Sequence, residues 1–155
     1  MGTAYVQDSW SKLNRQQIGK YAEYFAKMEF TKAGFDVYTA EVDDKGIDFV
    51  VRRSEAVYYD IQVKSARKSA YVFMKKRLFI PRKNLYLMLM IFRRNEEPVS
   101  LLIPSIEWVK EGHPALVDHD YEGMKSEPEY GINITKANFN ELIAKYSFSS
   151  MIARL

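Results

Sequence analysis

A chain of 155 residues, 47% of them apolar, is long enough for one domain with a substantial core and too short for two comfortable ones. With no cysteine it holds no disulfide, no thiolate metal site and no cysteine nucleophile, which fits a reducing compartment. The net charge of +3 excludes little by itself, so its distribution along the chain carries the information.

At the N-terminus, "MGTAYVQDSW" lacks the basic and then apolar segments of a secretion signal, and Val6 stands where a myristoylation signal needs Ser or Thr. Asn14 is placed to cap a helix over "RQQIGKYAEYFAKMEFTKAGF", whose apolar or small positions Ile18, Ala22, Phe25, Ala26 and Ala33 end at the stop residue Gly34. A strand is expected over Asp36–Val42, then the turn "DDKG", then strands over Ile47–Arg53 and Val57–Ser65. Further strands are expected over Tyr71–Met74, Leu85–Arg93 and Val99–Ile103, the last two joined by "NEEP". The apolar run "LYLMLMIF" falls far short of the ~20 residues of a membrane span. Pro104 opens a short helix through Trp108, a polar loop follows, Gly131–Ile134 reads as a short strand, and Thr135 is a cap for a final helix in "KANFNELIAKYSF". There is no internal repeat or low-complexity segment. These features point to a soluble, cytoplasmic protein without a membrane partner.

One helix, three strands and then mixed elements indicate an α/β or α+β fold, with a central mixed sheet flanked by helices. The expected organisation is a single domain, 1–155, with its core at about 14–103 and a C-terminal extension at 104–155.

Charge is unevenly spread. Residues 1–63 carry 8 Lys/Arg against 10 Asp/Glu and residues 95–155 carry 5 against 10, whereas residues 64–94 carry 10 Lys/Arg and no acid. A solvated face accounts for many such blocks. Here the block also contains Tyr71, Phe73, Phe79 and Tyr86, which makes a nucleic acid a serious partner for Arg67, Lys68, Lys75, Lys76, Arg77, Arg82 and Lys83.

The two strands before the block constrain each other. Ile47, Phe49 and Val51 alternate with Asp48, Val50 and Arg52, while Tyr59, Ile61 and Val63 alternate with Tyr58, Asp60, Gln62 and Lys64. Burying both apolar sets on one face requires an antiparallel register in which residue 48 meets residue 62. That register gathers Asp48, Gln62 and Lys64 on the opposite face, with ~5 Å between the Cβ atoms of Asp48 and Gln62. A carboxylate and an amide oxygen are hard ligands for Mg²⁺ (or Mn²⁺), which keeps several waters and takes one or two protein carboxylates beside substrate phosphates. A lysine two residues along points the same way and can orient attacking water or offset charge on a phosphorane-like transition state. The same residue types also occur on ordinary solvated sheet faces, and spacing alone does not separate the two readings.

An acid on the second strand and Gln-x-Lys on the third, after a helix carrying a glutamate, resembles the PD-(D/E)xK superfamily of restriction-endonuclease-like nucleases. The matching pieces are Glu23 in "IGKYAEYF", Asp48 in "GIDFVV", and Gln62 with Lys64 in "DIQVKS". The "QVKS" ending is similar to the third strand of Holliday-junction resolvases, and the segment "DYEGMKSEPEYGINIT" looks like small uncharacterised bacterial members. The resemblance covers roughly residues 14–103. It implies a restriction-endonuclease-like core and a metal-dependent endonuclease, a phosphodiester hydrolase. Asp48, Gln62 and Glu23 would arrange Mg²⁺ or Mn²⁺, Lys64 would join them as a catalytic residue, and the basic block would hold DNA. It also implies a homodimer, because small nucleases that cut both strands often resemble two-fold dimers. Gln62 departs from the usual acid and leaves the site one negative charge short, which weakens divalent-metal binding. The endonuclease subunit of one group of cut-and-paste transposases has a similar Glu, Asp, Gln-x-Lys pattern, so the substitution is compatible with cleavage. The alternative is a catalytically degenerate module of the same fold that binds nucleic acid or a protein without cutting.

Other features weigh less. Glu23 borders the helix stripe, where a surface ion pair is the plain alternative to a ligand. His113 and His119 with Asp118 and Asp120 match no standard metal spacing. Asp43 and Asp44 read as turn residues, with a supporting metal contact as the other option. Trp108 and Tyr130 read as core or loop anchors.

Overall fold

The structure, a computed structural model, describes residues 9–42, 44–67 and 69–155. A 3₁₀ turn, Ser9–Lys12, leads into the long helix α1, Arg15–Lys32. Asn14 caps α1 as expected: its Oδ1 accepts from the Gln17 N–H at 2.9 Å, and Gln17 Oε1 accepts from the Asn14 N–H at 2.8 Å. Ile18, Ala22, Ala26 and Phe30, four residues apart, form the buried stripe, and the two alanines let the helix lie close on the sheet. Gly34, at φ +93°, turns the chain out of the helix. Asn14→Ala should lower stability by about 1 kcal/mol, read as a lower urea midpoint at unchanged slope. An unchanged midpoint would mean that docking of the stripe holds the helix start without the cap.

The five-stranded sheet has the order β1 (Asp36–Thr39), β2 (Phe49–Arg52), β3 (Tyr58–Arg67), β5 (Leu85–Phe92) and β6 (Val99–Pro104). β3 and β5 are parallel and the other pairs antiparallel, so the sheet is mixed. In β5 every residue except Tyr86 is buried, as befits a strand covered on both faces. On the α1 side Phe30 meets the rings of Phe35, Phe49 and Phe148 at centroid distances of 5.8, 5.8 and 5.1 Å, all edge-on.

A second sheet, β4 (Ala70–Lys75), β8 (Glu129–Ile134) and β7 (Leu116–His119), is antiparallel throughout and was not anticipated as a separate layer. Gly131 on β8 lies directly under Tyr71, whose hydroxyl oxygen is 2.2 Å from where a Gly131 Cβ would sit, so any side chain there displaces the tyrosine. Pro104 precedes a 3₁₀ turn, Ser105–Val109, and Trp108 within it is buried, donating its indole N–H to the Gly131 carbonyl at 2.8 Å. The last helices are α2 (Phe139–Tyr146) and α3 (Phe148–Met151). α2 starts later than expected because Thr135 and Asn138 bond to each other's backbone N–H groups and close a turn of their own. No helix among the described residues is long and apolar enough to cross a membrane.

Candidate functional site

The register between β2 and β3 is the one that alternation requires: Phe49 pairs with Ile61 and Val51 with Tyr59. That ladder stops early. β2 pairs only with Tyr58–Ile61 of β3, whereas β5 follows β3 from Asp60 to Arg67. Beyond Ile61, β3 therefore has a strand of this sheet on one side only, and a notch opens where β2 turns away.

Asp48 stands at the mouth of the notch. Its N–H donates to the Ile61 carbonyl at 2.9 Å, and its Oδ2 accepts from the Val63 N–H at 2.7 Å. The carboxylate thus takes the position in the ladder that a backbone carbonyl of β2 would have filled. It leans along the sheet toward β3 instead of standing out from a face, and this bond fixes its orientation.

Gln62 and Lys64 follow along the same edge. Alternation puts both on the face opposite Ile61 and Val63, beside their β5 partners Leu87 and Leu89. Gln62 is only 7% exposed, and its Oε1 is buried with no hydrogen-bond partner among the described residues. Leaving such an oxygen unsatisfied costs on the order of 1–3 kcal/mol, which makes it a position that a ligand would improve. Lys64 is half-buried and has no ion-pair partner among the described residues.

Glu23 is differently placed. It sits on α1 between Lys20 at 3.4 Å and Lys27 at 3.1 Å, the helix-surface ion pair weighed above. Lys27 also lies 5.8 Å from the centroid of Phe49, the residue after Asp48, so this flank of the helix looks toward the head of β2. Among the described residues no group of three or more His, Cys, Asp or Glu is arranged to hold a metal. The donor types at the notch, one oriented carboxylate and one buried amide oxygen without a hydrogen-bond partner among the described residues, are ones that a hard divalent ion takes. Glu23 would join only by giving up its lysines.

The basic block is largely answered from within the chain. Lys75 and Arg77 both pair with Glu127, at 2.8 and 2.7 Å. Lys76 pairs with Asp118 and with Asp120, the latter at 2.6 Å, and lies 4.7 Å from the centroid of Tyr130. Burial lowers the pKa of Lys76, but its hydrogen bonds to these two acids outweigh that and hold it above the ordinary lysine range. Arg82 pairs with Asp60 at 2.7 Å. Arg67 is exposed and donates to the Leu13 carbonyl, and Lys83 is exposed with no ion-pair partner among the described residues. Lys68 and Asp43 lie outside the described residues. The arginines Arg93 and Arg94, in the same acid-free block but not singled out from the sequence, end β5 beside Arg67.

Among the described residues the histidines join no group of three or more metal-ligating side chains. His113 stacks on Tyr146 at 5.8 Å, and burial followed by the nearby Lys145 charge hold its pKa below the ordinary histidine value. Tyr146 donates to the buried Glu107 at 2.9 Å, so this cluster is internally satisfied.

No family model matches the sequence, and no curated protein sequence matches it. Among solved structures the chain is similar to Hjc, a Holliday junction resolvase from the archaeal hyperthermophile Archaeoglobus fulgidus. The TM-score is 0.51 at 13% sequence identity, over 87% of this chain and 95% of that one. The likeness is one of fold: a restriction-endonuclease-like core, α+β, with the central mixed sheet and flanking helices expected above.

Proposed function

We propose that the chain is a divalent-metal-dependent endonuclease that hydrolyses phosphodiester bonds in DNA at the β2–β3 notch. The observation that carries the reading is the buried Oε1 of Gln62, without a hydrogen-bond partner among the described residues, one register step beyond the Phe49–Ile61 pair from an Asp48 carboxylate that the Val63 N–H holds in place. The resolvase-like fold supports it, because the notch lies between the strands that bear Asp48 and Gln-x-Lys.

Each residue then has a distinct task. Asp48 and Gln62 would hold Mg²⁺ or Mn²⁺, with Glu23 as a further carboxylate once freed from Lys20 and Lys27. Such an ion supplies charge stabilisation at a phosphate and activation of water. Lys64 has no carboxylate neutralising it among the described residues, so its ammonium is available to orient water and to balance charge developing on the phosphate. The protein would work as a homodimer where both strands are cut.

The amide at position 62 makes the metal the weakest link. Titration calorimetry with Mn²⁺ should show uptake by the wild type and tighter uptake by Gln62→Glu, which adds a carboxylate at the same place. Absence of uptake in both proteins would remove the metal-dependent reading. One observation favours a second reading: Glu23 is already engaged by two lysines, as in a fold that keeps the site's frame without its chemistry. In that case the chain binds nucleic acid or a protein partner without cutting.

A further inference from the structure

Three hollows of about 510, 810 and 550 Å³ adjoin one another at the carboxyl ends of the parallel strands β3 and β5. Arg67 lines the first and second, and Arg93 and Arg94 line the second and third, so they run together as one trough. Its cationic side chains are Lys12, Arg15, Arg67, Arg93, Arg94 and Lys136, and among the described residues no acidic one lines any of the three hollows.

The contrast with the β4 cations is sharp. Lys75, Lys76 and Arg77 each have a carboxylate partner, whereas Lys12, Arg15 and Lys136 are exposed and have none among the described residues. Arg67 spends one guanidinium nitrogen on the Leu13 carbonyl, and Arg93 pairs with Glu96 while its Nε stays buried without a partner.

We infer that this trough, and not the β4 surface, is where the phosphodiester backbone of a nucleic acid lies. The inference rests on the nucleic-acid part of the reading above and not on catalysis. A row of cations that includes Lys12, Arg15 and Lys136, without ion-pair partners among the described residues, suits a ligand with repeating negative charge, and the guanidinium fork matches phosphate oxygens. A single small anion would fill only one hollow. The carboxyl ends of parallel strands are also where open α/β sheets commonly receive ligands. Arg67 is three residues beyond Lys64 on β3, so alternation turns it to the other face, beside Leu13 and Arg15, and the trough is a surface distinct from the notch.

Fluorescence anisotropy with a labelled DNA duplex, in chelator so that nothing is cut, tests this across a range of salt. The variant Arg15→Gln/Arg67→Gln/Lys136→Gln should lower the steepness of log affinity against log salt by roughly 2.7, about 0.9 for each lost phosphate contact. At 0.1 M salt its affinity should fall by roughly 100-fold or more. Lys12→Gln/Lys136→Gln, which removes no ion pair or hydrogen bond among the described residues, should show about two thirds of that slope change and guards against misfolding of the triple variant. Lys75→Gln/Arg77→Gln should bind nearly as the wild type does, because Lys75, Lys76 and Arg77 together face three carboxylates, Glu127, Asp118 and Asp120. Wild-type slopes in both trough variants, or an equal loss in Lys75→Gln/Arg77→Gln, would overturn the assignment. Wild-type binding to phosphatidylserine vesicles but not to duplex would show that the occupant is wrong. Because no metal or cleavage enters, the nuclease reading can fail while this one stands.

Discussion

Lys64→Ala should lower the rate of DNA cleavage about 100-fold or more, roughly 3 kcal/mol, while Mn²⁺ uptake persists. Lys64 lies two residues from Gln62 on the same edge of β3, with no ion-pair partner among the described residues, so its charge is not consumed by the fold. Removing it subtracts an interaction that grows as charge builds on the phosphate, and it also removes a cation that repels the metal. Lys64→Met is the sharper variant, because it keeps the apolar stem and loses only the ammonium. Cleavage that survives either substitution at the wild-type rate would show that Lys64 takes no part in the chemistry. Loss of Mn²⁺ uptake in Lys64→Met would point to a structural role.

The second large effect is expected at Asp48, where structure and chemistry are joined in one carboxylate. Its Oδ2 is the acceptor for the Val63 N–H, so Asp48→Ala should remove a metal ligand and also unpin β3 at the notch, costing about 1–3 kcal/mol of stability. Asp48→Asn separates the two effects. The amide oxygen can still accept from Val63, so stability should stay close to wild type, while the loss of negative charge beside Gln62 should leave too little to hold a divalent ion. Calorimetry and urea unfolding on the pair decide the matter. If Asp48→Asn cleaves and binds Mn²⁺ as the wild type does, the carboxylate only completes the ladder.

Much of the fold was legible because the relevant signals are local and periodic. Asn14 three residues before Gln17 predicts the capping box, and alternation in Ile47–Val51 and Tyr59–Val63 fixes a register that the structure reproduces at Phe49–Ile61. What alternation alone did not reveal is that the ladder ends there. Asp48 was expected to project beside Gln62 from the face opposite Phe49 and Ile61, but its side chain is drawn into the ladder by an N–H that β2 no longer serves.

The second sheet was hidden for a different reason. β7, Leu116–His119, is four residues long with two apolar positions, too short for its period to show, and it exists through its pairing with β8. That pairing brings Asp118, Asp120 and Glu127 back across Lys75–Arg77, so a charge count along the chain overstates the uncompensated charge of the basic block. The trough shows the reverse. Lys12, Arg15, Arg67, Arg93 and Lys136 come from separate segments, and only the convergence of β3, β5 and β8 at one end of the fold assembles them.

The most direct test is cleavage itself: wild type and Gln62→Glu incubated with Mg²⁺ or Mn²⁺ on duplex, single-stranded and branched DNA, with a chelator control. The account predicts metal-dependent cutting of at least one of these substrates by the wild type, and cutting at lower metal concentration by Gln62→Glu. No cleavage of any substrate by either protein, with either ion, would contradict it and leave a binding module in its place.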